Sequence, residues 1–309
     1  MQIYKINFNI HYQQWSQIFL SVSKPTLTQS WNYGEAKVKA QNWKVLRGII
    51  TENEKPIALI QAWYKNFLFF KLVRVSYGPL WIIDHPSLEQ IKGAFREIKK
   101  KWGLKKLSVL SIAPNLENSF DHNKILTELC FYKRKSRAYE SGWIDLKQSI
   151  VYLRAKLRGN WRNQLCLSEK KGLTFQVSNN IVDFQWLICC FNYFRKKKNF
   201  YGHSIELLDA LYQESQNNYK TEVMFVSSGN ERVAGILLAD YGSSCIPLII
   251  WLNDNGRKLN AGNFLLWNSV LYAKSKGCLW FDLGSTYNNT FKTGLPHIPF
   301  QLIGEYYGL

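Results

Sequence analysis

A lysine set beside an aromatic residue, with a carboxylate a few residues upstream, is the pairing of most chemical interest in this chain. Phe291-Lys292 closely follows Asp282, which lies in the segment FDLGS (281–285). Acyl transfer from an ester to an amine passes through a tetrahedral oxyanion, and a fixed cation at that oxygen stabilises it. Removing one such donor typically costs about 10²–10³ in rate. Lys292 can supply the charge, and Phe291 can shape a dry pocket in which the charge counts for more. Asp282 can orient an attacking amine, take its proton, or hydrogen-bond to the loop at Gly284. The alternative for Lys292 is a solvated loop lysine. Arg154, Arg158 and Arg162 recur at four-residue steps, a spacing that suits phosphate binding or a solvated helix face. The histidines fall in no repeated spacing, and there is no Ser/His/Asp or Cys/His pattern for nucleophilic catalysis. The six cysteines include no CxxC pair, so neither a zinc site nor a redox motif is supported, and free thiols in a reducing compartment are expected.

The elements that must position these groups read as a repeat. GIITENEKPIALIQAWY (48–64) is two apolar runs around a polar turn, a hairpin by pattern, and VMFVSSGNERVAGILLADY (223–241) repeats the device. Each is followed by a strand-like run, FLFFKLVRVSYGPLW (67–81) and SCIPLIIWL (244–252). A helix comes next: Leu88, Ile91, Phe95, Ile98 and Trp102 form one apolar stripe, as do Leu266, Val270 and Ala273, with Gly103 and Gly277 as stops. Each helix leads into a further strand, KLSVLSIAP (106–114) and CLWFDLGS (278–285). Two such series at nearly equal spacing predict a duplicated α/β unit. Between them the spacing of Leu153, Leu157, Trp161 and Leu165 predicts one basic helix over 148–171, its arginines on the adjacent face.

With 309 residues, 46% of them hydrophobic and 20% charged, the composition is globular and excludes a disordered or fibrous chain. A formal charge of +18 points to a polyanionic partner: nucleic acid, an anionic membrane face or a phosphorylated substrate. Neither a signal-peptide pattern nor an apolar run long enough to span a bilayer is present, and a cytoplasmic, membrane-peripheral protein is expected.

The order of motifs resembles the FemABX family, non-ribosomal peptidyltransferases built from two tandem GNAT-like domains. The matching segments are QSWNYGEAK (29–37) followed by Trp43, RVSYGPLW (74–81), SGWIDL (141–146) before LRGNWRNQLCLSEKKGL (157–173), then FDLGS (281–285) and FKTGL (291–295). Ser285 stands where the family often carries a second glycine. The long helical arm of some members has no counterpart, because 172–200 is too short and irregular.

The resemblance implies a mixed α/β fold of two closely packed GNAT-like domains, 1–147 on the precursor-binding side and 148–309 for acyl transfer, the last residues returning to the first. It implies transfer of an amino acid from charged tRNA to an amine of a UDP-linked or lipid-linked peptidoglycan precursor, with peripheral contact to the inner membrane face, and neither cofactor nor metal. Its implied catalytic residues are Lys292, Phe291 and Asp282. Its implied substrate-binding residues are Trp31, Lys37 (or Lys39), Arg74, Tyr77, Arg154, Arg158 and Arg162. Two other readings stay open. One is an acyl-CoA-dependent N-acyltransferase acting on a cell-envelope sugar or amine; the other is a binding module without catalysis. Coenzyme A would use the loop Arg257-Lys258-Leu259-Asn260-Ala261-Gly262, in which Asn260 replaces the central glycine of the acetyltransferase pattern.

Overall fold

The computed structural model describes residues 2–103, 106–199, 202–215 and 219–308. The elements of the first half are β1 (Tyr4–Asn7), α1 (Tyr12–Ser21), α2 (Trp31–Gln41), β2 (Lys44–Glu52), β3 (Lys55–Asn66), β4 (Lys71–Ser76), β5 (Leu80–Trp81), α3 (Leu88–Lys101), β6 (Ser108–Ala113), α4 (Phe120–Glu128), β7 (Phe131–Lys133) and β8 (Glu140–Asp145). Those of the second are α5 (Ile150–Ala155), α6 (Gly159–Glu169), β9 (Leu173–Ser178), α7 (Ile181–Lys198), α8 (Ile205–Gln213), β10 (Tyr219–Ser228), β11 (Glu231–Tyr241), β12 (Ser244–Leu252), α9 (Asp254–Lys258), α10 (Ala261–Ser275), β13 (Trp280–Ser285), β14 (Ile298–Gln301) and β15 (Tyr306–Gly308). None of the described helices is long and apolar enough to cross a membrane.

Each half delivers the hairpin, strand, helix and strand that its patterning predicts. β2–β3 and β10–β11 are antiparallel ribbons, and β4 and β12 each lie beside a later parallel strand, β6 and β13. The helix between them is a crossover that covers one face of the sheet. In α3 the buried stripe is Ile91, Phe95 and Ile98, and a capping box between Ser87 and Gln90 starts the helix. Leu88, in the first turn, is exposed, and the helix stops at Lys101 with Trp102 extended. α10 ends as predicted at Gly277, whose φ of +86° suits glycine. Cys278 N–H donates to the Ala273 carbonyl and Gly277 N–H to that of Lys274, which closes the last turn. The run 67–81 is not one strand: β4 begins only at Lys71, and 67–70 is a turn.

The two sheets have the same order. The first runs β1-β2-β3-β4-β6-β15-β7, with β5 on β3, and the second, read from its other edge, β9-β10-β11-β12-β13-β8-β14. Position by position the strands correspond, except that each half's last strand fills the other's sheet. β15 sits between β6 and β7, with Tyr306 paired to Ile112 and Lys133. β8 lies antiparallel to β13. The chain accordingly divides into Met1–Glu140 with Phe300–Leu309, and Ser141–Pro299. The division falls at 140/141 rather than 147/148 because β8 is bonded into the second sheet.

If β15 is an integral strand of the first unit, its anchor should matter. The Tyr306 side chain is 1% exposed, and its hydroxyl donates to Asn123 Oδ1 at 2.7 Å. Tyr306→Ala should destabilise the protein by about 3–5 kcal/mol, the scale for a fully buried aromatic. Chemical denaturation of both proteins measures it; an unchanged midpoint would show that β15 is dispensable.

Candidate active site

In the second unit the chemistry-bearing groups gather where β12 and β13 part. The two parallel strands pair only at Ser244–Trp280 and Cys245–Phe281, so beyond these residues their carboxyl ends open into a wedge. In the first unit, β4 and β6 stay paired over six positions, from Lys71–Ser108 to Ser76–Ala113. Strand ends that diverge in this way are where α/β sheets admit ligands.

β13 carries Asp282 on one side of the wedge. Register with β8 breaks between Asp282 and Ser285, where Gly284 turns to φ +66°. The Gly284 N–H donates to Asp282 Oδ1 at 2.8 Å, and the Ser141 hydroxyl also meets that oxygen. The loop hydrogen bond considered for Asp282 from sequence therefore forms. Asp282 is 8% exposed, and burial pushes its carboxyl up to about 6 despite the Ser141 and Gly284 hydrogen bonds and the positive charge of Lys292.

Lys292 reaches back to the same strand. Its Nζ donates to the Leu283 carbonyl at 2.5 Å, and its backbone N–H to Asn289 Oδ1 at 3.0 Å. Burial lowers the ammonium's pKa and Asp282 opposes that shift. Lys292 is not a solvated loop lysine: it is a half-buried cation coupled to a buried carboxylate.

Phe291 is gripped from two sides. Trp161 Nε1 donates to its carbonyl at 2.9 Å, and the two rings lie 6.3 Å apart. On the other side is Gly262, in the first turn of α10, where an added Cβ would lie 3.4 Å from the Phe291 ring and 2.9 Å from Leu252. Gly294 packs on Trp161 so closely that a Cβ there would overlap the indole at 2.3 Å. The Arg158 N–H donates to the Gly294 carbonyl at 3.0 Å. Trp161, Gly294 and Asn289 thus position the Phe291-Lys292 turn. Sequence reading placed Trp161 only on an apolar helix face.

The predicted helix 148–171 is two helices. The chain breaks over 156–158 between α5 and α6, which lets Leu157 and Trp161 both enter the core while Arg158 caps the Gly294 turn. The three arginines therefore do not form a stripe on one helix face. Arg154 is held bidentate by Glu169 at 2.7 and 2.6 Å, its charge already matched. Arg158, at the α6 N-cap, and Arg162, in the first turn, remain exposed beside the Lys292 turn's end of α6.

In the first unit, Lys37 on α2 stands 5.5 Å from the Trp63 ring and 5.8 Å from that of Tyr33, its Nζ donating to Gln41 Oε1 at 2.7 Å. Burial, with the nearby charges of Arg74 and Lys65, lowers its pKa to about 8. A phosphate placed there would relieve that repulsion. Arg74 is exposed and 3.7 Å from Glu305. Trp31 serves packing: the Arg47 guanidinium lies 3.7 Å over its ring, and Arg47 is tied to Gln61 and Glu35 at 2.7 and 2.8 Å. Tyr77, at φ +49°, lies against Tyr139, the ring centroids 5.1 Å apart and the planes tilted by 35°. Lys39, the alternative match, lies in the last turn of α2.

Asp282 gives a measurable signature. Its folded pKa lies above the ordinary value, so the native state binds the proton more tightly. That contribution is fully present below pH 4 and lost as pH rises through about 6. Relative to Asp282→Asn, the parent should gain up to about 3 kcal/mol between pH 7 and pH 4, the equivalent of about two pKa units. Urea denaturation across that range measures the difference; a flat difference would mean that Asp282 is not buried as a titrating group.

No known protein-family profile matches the chain, and no curated protein matches it. Solved structures do. FemX aligns over 100% of this chain and 97% of its own, at 15% identity and a TM-score of 0.79. The C-terminal domain assigned to a lysylphosphatidylglycerol synthetase of Agrobacterium fabrum aligns over 96% and 93%, at 10% identity and 0.59. A tandem GNAT protein from the clavulanic acid biosynthesis pathway aligns over 99% and 98%, at 8% identity and 0.57. The chain has a FemABX-like fold, two GNAT-like units in tandem.

Proposed function

We propose that the protein is an aminoacyltransferase. It moves an amino acid from charged tRNA to an amine of a peptidoglycan-precursor peptide. The observation that carries this reading is the half-buried ammonium of Lys292 at the mouth of the β12–β13 wedge, beside a buried carboxylate. An ester carbonyl seated against Lys292 would develop its oxyanion next to a permanent charge. That charge acts with little screening, because Phe291, Trp161 and Leu252 exclude water on one side. Asp282, ionised above about pH 6, keeps Lys292 protonated and can accept a hydrogen bond from the attacking amine. The amine attacks the ester carbon, the oxyanion collapses, the tRNA ribose oxygen leaves with a proton, and an amide remains. Exposed Arg158 and Arg162 suit the phosphates of the donor, and Lys37 with Arg74 those of a precursor.

The same wedge supports a second reading, with an acyl thioester as donor. Asn260 takes a left-handed backbone, φ +55°, at the start of α10, as the glycine of the acetyltransferase pattern could, but its side chain crowds a close-approaching phosphate, which disfavours coenzyme A there. The two readings separate on the donor: turnover with charged tRNA in the absence of any thioester supports the first, and turnover with acyl-CoA alone supports the second.

Lys292→Met should lower kcat by about 10²–10³ and leave KM within a few-fold, because the lost interaction exists mainly in the transition state. Lys292→Arg should restore activity only in part, since a planar guanidinium places its charge differently. Mass-detected transfer to a muropeptide acceptor provides the assay. Parental turnover by Lys292→Met would remove the oxyanion role.

A further inference from the structure

At one end of its strands the first unit presents an apolar tip that no described residue of the unit covers. The β3–β4 turn is Phe67-Leu68-Phe69-Phe70, and these side chains are 50%, 95%, 82% and 45% exposed. The turn is closed by its own contacts. Phe67 N–H donates to the Phe70 carbonyl at 2.8 Å, and the two rings stack at 4.9 Å with 13° between planes, which leaves Leu68 and Phe69 outermost. It also projects. β2 joins β3 only from Lys44–Tyr64 inward, and β6 joins β4 only from Ser108–Lys71 inward, so Lys65 to Phe70 extend past their neighbours. Leu107, 68% exposed, accepts a hydrogen bond from Lys71 N–H at 2.8 Å and adds a fifth apolar side chain at the base.

Behind the tip lies a collar of cations and interfacial aromatics. Lys65 Nζ is 5.0 Å from the Trp43 ring, and Lys71 Nζ is 4.8 Å from the Tyr64 ring. Lys44 and Lys106 are exposed on the flanking strand starts. No acid occurs between Glu35 and Glu52, between Glu54 and Asp84, or between Glu97 and Glu117, the three stretches that build this end of the unit. Apolar side chains at the extremity, Trp and Tyr one step back, and Lys around them form the layering of a bilayer boundary: acyl chains, headgroup level, anionic surface.

We infer that the 67–70 turn is a membrane-docking tip, inserting Leu68 and Phe69 into the headgroup–acyl boundary of an anionic lipid surface while the lysine collar binds its headgroups. The size of the feature argues for a bilayer over a protein: a stable protein interface buries about 800 Å² on each side, which a four-residue projection cannot supply. Shallow insertion needs only a few large apolar side chains, reinforced by basic residues. The inference stands apart from the function proposed above and needs no catalysis. If both hold, there is a consequence for the acceptor. Trp63 pairs with Arg74 three residues in from the strand ends, so the Lys37–Arg74 site lies about 10 Å behind the base of the tip and within reach of a lipid-linked phosphate.

Sedimentation with phosphatidylglycerol/phosphatidylcholine vesicles tests it on the full chain. The parent should bind these and bind pure phosphatidylcholine vesicles far less, with affinity falling as salt rises. The double variant Leu68→Glu/Phe69→Glu should lose about tenfold or more in affinity, on the scale of two large apolar side chains. It should melt like the parent, because both side chains are exposed. Leu68→Trp should retain binding. Unimpaired vesicle binding by the double variant would overturn the inference and assign lipid affinity to the net charge alone; so would equal binding to the two vesicle types. If the parent is a dimer in size-exclusion chromatography and the double variant a monomer, the tip is a contact with a second copy and the inference fails.

Discussion

Burial pushes an ammonium toward losing its proton unless a neighbouring charge opposes the loss, and at Lys292 in the second unit that neighbour is Asp282. The carboxylate and the ammonium are each disfavoured by burial and each supported by the other, and both depend on β13 leaving β12 after two residue pairs. Were β13 to continue alongside β12, as β6 does alongside β4, its Leu283 carbonyl would face a ladder partner instead of the Lys292 ammonium. The break at Gly284, the Ser141 hydroxyl and the Trp161 clamp all serve to hold the carboxylate and the ammonium at the open end.

The two units share a strand order and differ at this seam. In the first, the parallel pair is zipped over six positions, and the polar groups lie elsewhere, in the Arg47–Gln61–Glu35 network and around Lys37. The duplicated frame thus carries two different polar arrangements. One unit has a wedge in which the Lys292 ammonium and the buried Asp282 carboxylate act on one another electrostatically; the other has a lysine under repulsion from Arg74 and Lys65. A tandem repeat joined by exchanged strands gives each unit a stake in the other's chain, since β8 and β15 each complete a sheet built mostly from the opposite half.

How much of this was legible follows from the range of the interactions. Hairpins and helical stripes are local, and both repeats were readable from their spacing. The return of the last residues to the first unit was implied by the family resemblance alone, because a three-residue strand such as Tyr306–Gly308 carries no pattern that names its partner; the placing of β8 in the second sheet was not foreseen. The break between α5 and α6 was hidden because Leu153, Leu157, Trp161 and Leu165 keep helical spacing across it; the Arg158–Gly294 contact that forces it is 136 positions long. Phe67 to Phe70 looked like the start of a strand, since an apolar run has the same letters whether it is buried in a sheet or exposed at its tip. Phe291, Lys292 and Asp282 were found as a group through motif order, but Ser141 and Trp161, which hold them, are distant in sequence.

Under the proposed function a charged amine at position 292 is what the transfer step requires, and chemical restoration tests this requirement most directly. Lys292→Cys should be nearly inactive. Alkylation with bromoethylamine rebuilds an amine of almost the same length but lower basicity. Activity should then return with its alkaline limit moved to lower pH, and the equally treated parent should not change in this way. A Lys292→Cys protein as active as the parent, or restored activity with an unmoved alkaline limit, would contradict the claim.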